Sequence, residues 1–248
     1  VFNAYTNLLQ YVRNVHQGPV AGEGFGFSTN IWAGYVDGIE ADPRTPAGME
    51  QASGGVATPL LVDYKLRVLH SLFVPHGVGY LGRFYQGKQG QYTSAELDRY
   101  LVSELAFGNA GFLEDPYTDG ITIEQNKRNY CFLKPLQTRY LVGNVRQIRY
   151  RVGSQFMTLS DALRTLLPGM AYDRVFTNLN AALSILNVTY DNGLTLYVNR
   201  SASRNLTLSN GGVRYVVPPN GFFARQDRQL LAYSALVNGQ KVEAVCPA

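Results

Sequence analysis

Asparagine–glycine turns punctuate the last third of the chain, among them Asp191-Asn192-Gly193, Asn210-Gly211-Gly212 and Asn238-Gly239. Asn and Gly reach the positive φ of a tight hairpin at little steric cost, so each turn between short apolar runs predicts a hairpin. Ile185–Tyr190 and Leu194–Asn199 flank the first, which reads as a type I′ turn. Leu206–Leu208 and Val213–Val217 flank the second, and Gly221–Ala224, Leu230–Leu236 and Lys241–Val245 complete the series. Val145–Val152 alternates ahead of them, and Leu159–Leu167 reads as a short helix or an insert. Strands at this spacing predict an antiparallel β-sandwich over residues 144–248, with a domain boundary near residue 143.

Upstream, apolar groups at helical spacing (Phe2, Tyr5, Leu8, Leu9, Val12, Val15) predict a helix that Gly18-Pro19 stops. Residues 24–58, rich in Gly, Pro, Ser, Thr and Asp, read as a loop system around a Trp32–Asp37 strand. Leu60–Tyr64 reads as a strand buried on both faces and Leu66–Phe73 as a short helix. Ser94 caps a helix carrying Leu97, Leu101 and Leu105, Gly108 ends it, and Gly111-Phe112-Leu113 is a candidate strand. A second long helix runs from Ile123 to Leu141, with Pro135 as its kink or break. This order predicts an α/β chain: half of a β/α barrel over 1–143, then the sandwich. About four strand–helix units stand where a closed barrel needs eight. A missing front half, a second copy of the chain, or an open α/β layer would each answer that count. The chain starts at Val1 within a helical pattern and is expected to be a processed or partial product.

Composition narrows the function. With 46% hydrophobic and 16% charged residues in 248, the chain is globular. No apolar run approaches the roughly 20 residues that span a bilayer, so no membrane partner is expected. The net charge of +4 is mild and Arg146, Arg149 and Arg151 form the one local basic cluster, so nucleic acid is not an expected partner. Cys131 and Cys246 have no zinc-type spacing. Cys131 lies in an apolar helical stretch and reads as a buried thiol, although a single bridge between the two stays open. Asp37–Asp42 lacks a complete calcium-loop signature. Neither a metal nor a cofactor is expected. Seventeen Tyr and twelve Phe suit sugar rings and nucleobases, but mostly fill sheet cores.

The chemistry-bearing signal is a set of acids at the ends of apolar runs. Glu23 stands between glycines in Gly18-Pro-Val-Ala-Gly-Glu-Gly24, Asp37 closes Ile31-Trp-Ala-Gly-Tyr-Val-Asp, and Asp63 closes Pro59-Leu-Leu-Val-Asp. Flanking glycine lets a ligand approach the backbone closely. An acid at a strand end can be desolvated, which raises its pKa toward the range of a general acid. Paired carboxylates of this kind cleave glycosidic bonds. The plainer readings are a turn cap for Glu23, an Asp-Gly turn for Asp37, and an ion pair with Lys65, Arg67 or Arg83 for Asp63. Glu40 and Asp42 read as surface charges. Trp32 and Tyr80 could stack on a sugar, His76 and Arg83 could orient it, and Glu104 sits mid-helix facing solvent or the site. No Gly-x-Ser-x-Gly and no phosphate loop occurs. Sequons at Asn187, Asn199 and Asn205 carry little information by themselves.

The same strings carry a resemblance. Gly18-Pro-Val-Ala-Gly-Glu-Gly, Ala33-Gly-Tyr-Val-Asp-Gly, Asp63-Tyr-Lys-Leu, His76-Gly-Val-Gly-Tyr and Glu104-Leu-Ala-Phe-Gly-Asn-Ala-Gly-Phe resemble the rear half of bacterial barrel glycoside hydrolases of poorly characterised families. Leu196-Tyr-Val-Asn-Arg and Tyr215-Val-Val-Pro-Pro-Asn-Gly-Phe are similar to the β domain that follows such barrels. The resemblance implies carbohydrate hydrolysis by carboxylates, with a carbohydrate substrate as partner. Glu23 and Asp63 are then the acid/base and nucleophile candidates, in either order, with Asp37 in reserve. The alternatives are a non-catalytic carbohydrate-binding or structural module, or a subunit of an oligomer in which another chain completes the half barrel. Compartment is not legible; a secreted or periplasmic location is the working expectation.

Overall fold

The structure, a computed structural model, describes residues 2–16, 21–22, 38–40, 76–79, 81, 85, 90–108, 110–111, 113–114, 116, 120–170, 179 and 181–247. Four α-helices occur among them: α1 Phe2–His16, α2 Ser94–Phe107, α3 Ile123–Tyr140 and α4 Leu159–Leu166. The cap of α2 is Thr93, one residue ahead of the expected Ser94. Its hydroxyl accepts from Glu96 N while the Glu96 carboxylate accepts from Thr93 N, a complete capping box. Thr122 and Gln125 repeat the device at α3. Helix α3 runs on through Pro135 to Tyr140. Asn129, Phe132, Leu133, Leu136 and Tyr140 form its buried stripe at helical spacing, and this packing holds the turn that proline would otherwise break.

Two sheets form. The smaller is a parallel strip, β1 Ala21–Gly22, β2 Gly38–Glu40, β3 His76–Gly79 and β4 Ala110–Gly111, in that order. The larger has nine strands: β5 Val145–Val152, β6 Gln155–Met157, β7 Ile185–Tyr190, β8 Thr195–Asn199, β9 Leu206–Asn210, β10 Val213–Val217, β11 Phe222–Gln226, β12 Leu230–Val237 and β13 Gln240–Pro247. All its pairings are antiparallel. β13 pairs β12 along its whole length, so β10 and β11 share the opposite edge of β12. Because β8 pairs β11 and β9 pairs β10, residues 195–226 form one long hairpin bent in both arms, at 200–205 and 218–221. At the second corner a Cβ on Gly221 would stand 2.6 Å from Ser234 O and 3.0 Å from Pro218 O, so the bend requires glycine.

The fold departs from the expected α/β class. The chain is mostly antiparallel β-sheet forming a curled half-barrel with few helices, and it is not a (β/α) barrel, whole or half, of alternating strands and helices. Among the described residues nine strands join one antiparallel sheet and only four join the parallel strip, and four helices are too few to alternate with the strands as a barrel requires. The sandwich expectation fails for a different reason: β7 pairs β5, β11 pairs β8 and β10 pairs β12, so the strands make one continuous ladder that curls instead of two facing sheets.

The turns also differ in kind. Asp191 and Asn192 keep negative φ, and only Gly193 is left-handed, with its N–H donating to Tyr190 O. That is a type I turn with a glycine bulge rather than type I′. The primed geometry appears at Gly211-Gly212 and Asn238-Gly239, where both central residues have positive φ.

The two faces of the curled sheet hold two cores. The main core packs α2 and α3 on Ile148, Tyr150, Leu186, Val188, Leu196, Val198, Phe222 and Ala232. The second, on the other face, gathers Ile185, Leu206, Tyr215, Val217, Phe223 and Ala235 under the bent arm β9–β10. Cys131 on α3 and Cys246 on β13 are both free and exposed, so neither the buried thiol nor the bridge is found. Strand alternation explains the second point: Glu243 and Val245 face the helices, and Cys246 between them and the strand end faces away.

Candidate functional site

The parallel strip holds the described residues that neighbour several of the predicted site positions in sequence. Its register lines up Ala21 with Gly38 and His76, Gly22 with Ile39 and Gly77, and Glu40 with Val78 and Ala110. β1 thus ends at Gly22, the residue before Glu23, and β3 ends at Gly79, the residue before Tyr80. β2 starts at Gly38, the residue after Asp37, and closes on Glu40. Glu40, expected as a surface charge, is the last residue of this strand, and the sequence signal for it is Gly38-Ile39-Glu40, an apolar residue running into an acid. Glu23, Asp37, Asp63, Trp32, Tyr80 and Arg83 themselves lie outside the described residues, as do the expected elements at 31–37, 60–64 and 66–73. His76 opens β3, at the amino end of the strip.

Glycine at the strip's carboxyl edge has separate causes. At Gly111 a Cβ would meet Leu133 Cδ1 at 2.9 Å and Tyr100 Oη at 3.5 Å, so a side chain there would have to push the end of Leu133 aside. Gly111 N donates to Gln137 Oε1 at 3.2 Å, which ties β4 to α3. Asn126 grips the following segment: its amide donates to Glu114 O at 2.6 Å and its carbonyl accepts from Glu114 N at 3.3 Å. The Glu114 carboxylate in turn accepts from Leu81 N, two residues beyond β3. The edge is therefore held by α3 through named polar contacts.

Glu104 is the predicted site residue whose surroundings are described. It is 1% exposed on α2, whose residues 101–106 are all buried, so it faces the packed interior and not solvent. Helix α2 packs on β8, and Arg200 follows that strand directly. Burial pushes the Arg200 guanidinium down to about 10; Tyr150 works against the drop, and Arg99 adds to it. Arg200 stays cationic at neutral pH, so the interface of α2 with the sheet holds both an acid and a base.

A second charged group lies where α2, α3 and β13 meet. Arg128 donates to both carboxylate oxygens of Glu243 and to Asp98, and Lys241 reaches Asp98 at 3.0 Å and Glu243 at 3.4 Å. Ser234 Oγ adds a bond to Glu243 at 3.0 Å. Burial pushes the Glu243 carboxyl up, but the bonds and charge of Arg128, the charge of Lys241 and the Ser234 hydroxyl outweigh it and hold the pKa at about 2. Two acids and two bases neutralise one another here, which is the signature of a structural clamp and not of a reactive acid. No cluster of three or more metal-ligating side chains occurs among the described residues, and no described helix is long and apolar enough to cross a membrane.

No family model matches this chain, and no curated protein or solved structure is detectably similar to it.

Proposed function

We propose that this chain is a glycoside hydrolase-like protein that binds carbohydrate at the carboxyl edge of its parallel strip and cleaves a glycosidic bond there with carboxylates. The observation that supports this most is the parallel strip itself, in which β2 closes on Glu40 at the end where parallel strands place their ligands. A retaining glycosidase needs its two carboxyl groups roughly 5–5.5 Å apart. Glu23 is the first candidate and Glu40 joins Asp63 as candidate partner, with one carboxyl protonating the leaving oxygen and the other attacking the anomeric carbon.

The test is hydrolysis of a panel of aryl glycosides by the full chain and by Glu23→Gln, Glu40→Gln and Asp63→Asn. The expected result is turnover by the parent and a loss of at least about a hundredfold in kcat for Glu23→Gln and for one of the other two, since general acid–base catalysis contributes about 10²–10⁴-fold. Unchanged turnover in Glu23→Gln overturns the assignment. A parent that retains polysaccharides but turns over no glycoside leaves the binding-module reading in its place.

A further inference from the structure

Strands β6, β9 and β13 bound the larger sheet, each pairing on one side only. β6 is three residues long, and Arg151 and Arg225 hold the two ends of β9, at Asn205 O and Asn210 Oδ1. β13 is different. It runs eight residues, Gln240–Pro247, along β12, and among the described residues no strand pairs with its other side. Its hairpin fixes which main-chain groups face out. The two-residue turn Asn238-Gly239 makes Val237 and Gln240 a hydrogen-bonded pair, and such pairs recur at every second residue: Ala235 with Val242, Tyr233 with Ala244, Leu231 with Cys246. Lys241, Glu243, Val245 and Pro247 therefore turn their main-chain groups outward on one line, all but Pro247 offering an N–H as well as a carbonyl. Exposure agrees: 26% of the Glu243 side chain is open, yet the residue as a whole is exposed, so solvent reaches its main chain. Helix α3 slants away from this edge. Arg128 near its start bonds Glu243, while Phe132 packs on Phe222 and Arg139 bonds Gln226, both on β11, two strands inward.

We propose that the outer edge of β13 is an interface with a second copy of this chain, the two strands pairing antiparallel about a twofold axis through Val242. Water meets the outward groups one at a time; what meets them together is another extended strand. The charge order of the strand selects the copy and the register. With Val242 on the axis, Lys241 stands across from the partner's Glu243, and Glu243 across from the partner's Lys241, all on the face toward the helices. A strand that reads cation, apolar, anion is complementary to itself in this register. Moving the axis to Glu243 would set two carboxylates opposite each other, which opposes pairing. Moving it to Ala244 would set Lys241 across from proline, which has no N–H to give. The proposed pairing continues the Asp98–Arg128–Glu243–Lys241 clamp across the axis. Its two hydrogen-bonded pairs exchange about four main-chain bonds, so the dimer is weak and depends on concentration.

The experiment is sedimentation velocity of the full chain over a series of concentrations, with residue-resolved amide exchange on the same samples. The expected result is a monomer–dimer equilibrium in which the amides of Lys241 and Glu243 gain protection as the dimer forms and that of Val245 does not. In a Cys131→Ser, Cys246→Ser background, Val242→Cys is expected to give a disulfide-linked dimer when a thiol oxidant is added, and Ala244→Cys is not. Facing residues of a non-hydrogen-bonded antiparallel pair lie about 4.5 Å apart at Cα, within reach of a disulfide. Lys241→Pro removes an outward donor that β12 does not use, and is expected to abolish the dimer. Lys241→Met keeps that donor and loses the charge, and is expected to weaken the dimer about fivefold. Far-ultraviolet spectra check both variants for folding, and the cross-link depends on neither of them. A chain that stays monomeric at every concentration overturns the proposal. So does a dimer whose Lys241 and Glu243 amides exchange freely, or one that Ala244→Cys traps and Val242→Cys does not. Turnover of glycosides enters none of these readings, so the interface stands or falls apart from the proposed function.

Discussion

Asn199 shows how much one polar side chain can hold. It is fully buried where β8 bends toward β9, its amide donating to Arg204 O at 2.6 Å and Val217 O at 3.0 Å, its carbonyl accepting from Ser201 N at 3.0 Å. Each of those groups, left unpaired and buried, costs about 1–3 kcal/mol. Asn199→Ala is therefore expected to lower stability by about 2–4 kcal/mol, measured as a shift in urea midpoint at constant slope. The sequon reading of Asn199 yields to this structural one, as does that of Asn187, whose amide donates to Leu196 O at 3.0 Å; of the three, Asn205 alone is exposed. A sequence motif cannot tell a surface asparagine from a corner bracket, because both obey the same tripeptide rule.

At the scale of the element, the bent hairpin 195–226 decides the shape of the sheet. Its two arms break at the same level, so β9–β10 leaves the plane of β8–β11 and folds over Phe223, with Tyr215 of the arm against that ring. Gly221 makes the break possible, since the carbonyls of Ser234 and Pro218 occupy the space of any side chain. Backbone atoms cannot give way as a flexible side chain would, so Gly221→Ala is expected to cost about 2–3 kcal/mol. Near-ultraviolet circular dichroism, reporting the tyrosines of the second core, should lose intensity before the far-ultraviolet strand signal changes; full retention of both would remove the corner argument. The hairpins were legible because their Asn and Gly residues sit between alternating runs. The bend was not, because Pro218-Pro-Asn-Gly221 reads as an ordinary loop until both arms are seen pairing with the same neighbours.

For the molecule as a whole, the Asp98–Arg128–Glu243–Lys241 clamp joins the helices to the last strand. The folded Glu243 carboxyl titrates near 2, below the ordinary 4.5. A depressed carboxyl stabilises the fold fully above its unfolded pKa, and that contribution is lost as pH falls from about 4.5 toward 2. Thermal midpoints are expected to drop across that window, and in Glu243→Gln the drop should be smaller, starting from a lower plateau. An unchanged pH profile in the variant would remove the clamp from the account of acid stability. Arg128→Met tests the same joint from the other side: it leaves the half-exposed Lys241 as the single cation between Asp98 and Glu243, at an expected cost of about 1–3 kcal/mol at neutral pH.

The chain's own order of residues determined its helices and hairpins, because caps such as Thr93 with Glu96, the α3 stripe and the Asn-Gly turns act through neighbours a few positions apart. It also marked the glycine-flanked acid Glu23 as a candidate. Only tertiary structure decided that the nine antiparallel strands form one curled ladder, that Glu104 turns into the core, that Glu40 closes a strand, and that β13 bounds the sheet. Those outcomes depend on which strand pairs with which across tens of residues, and a hydrogen-bond ladder formed at that range leaves no local pattern to read.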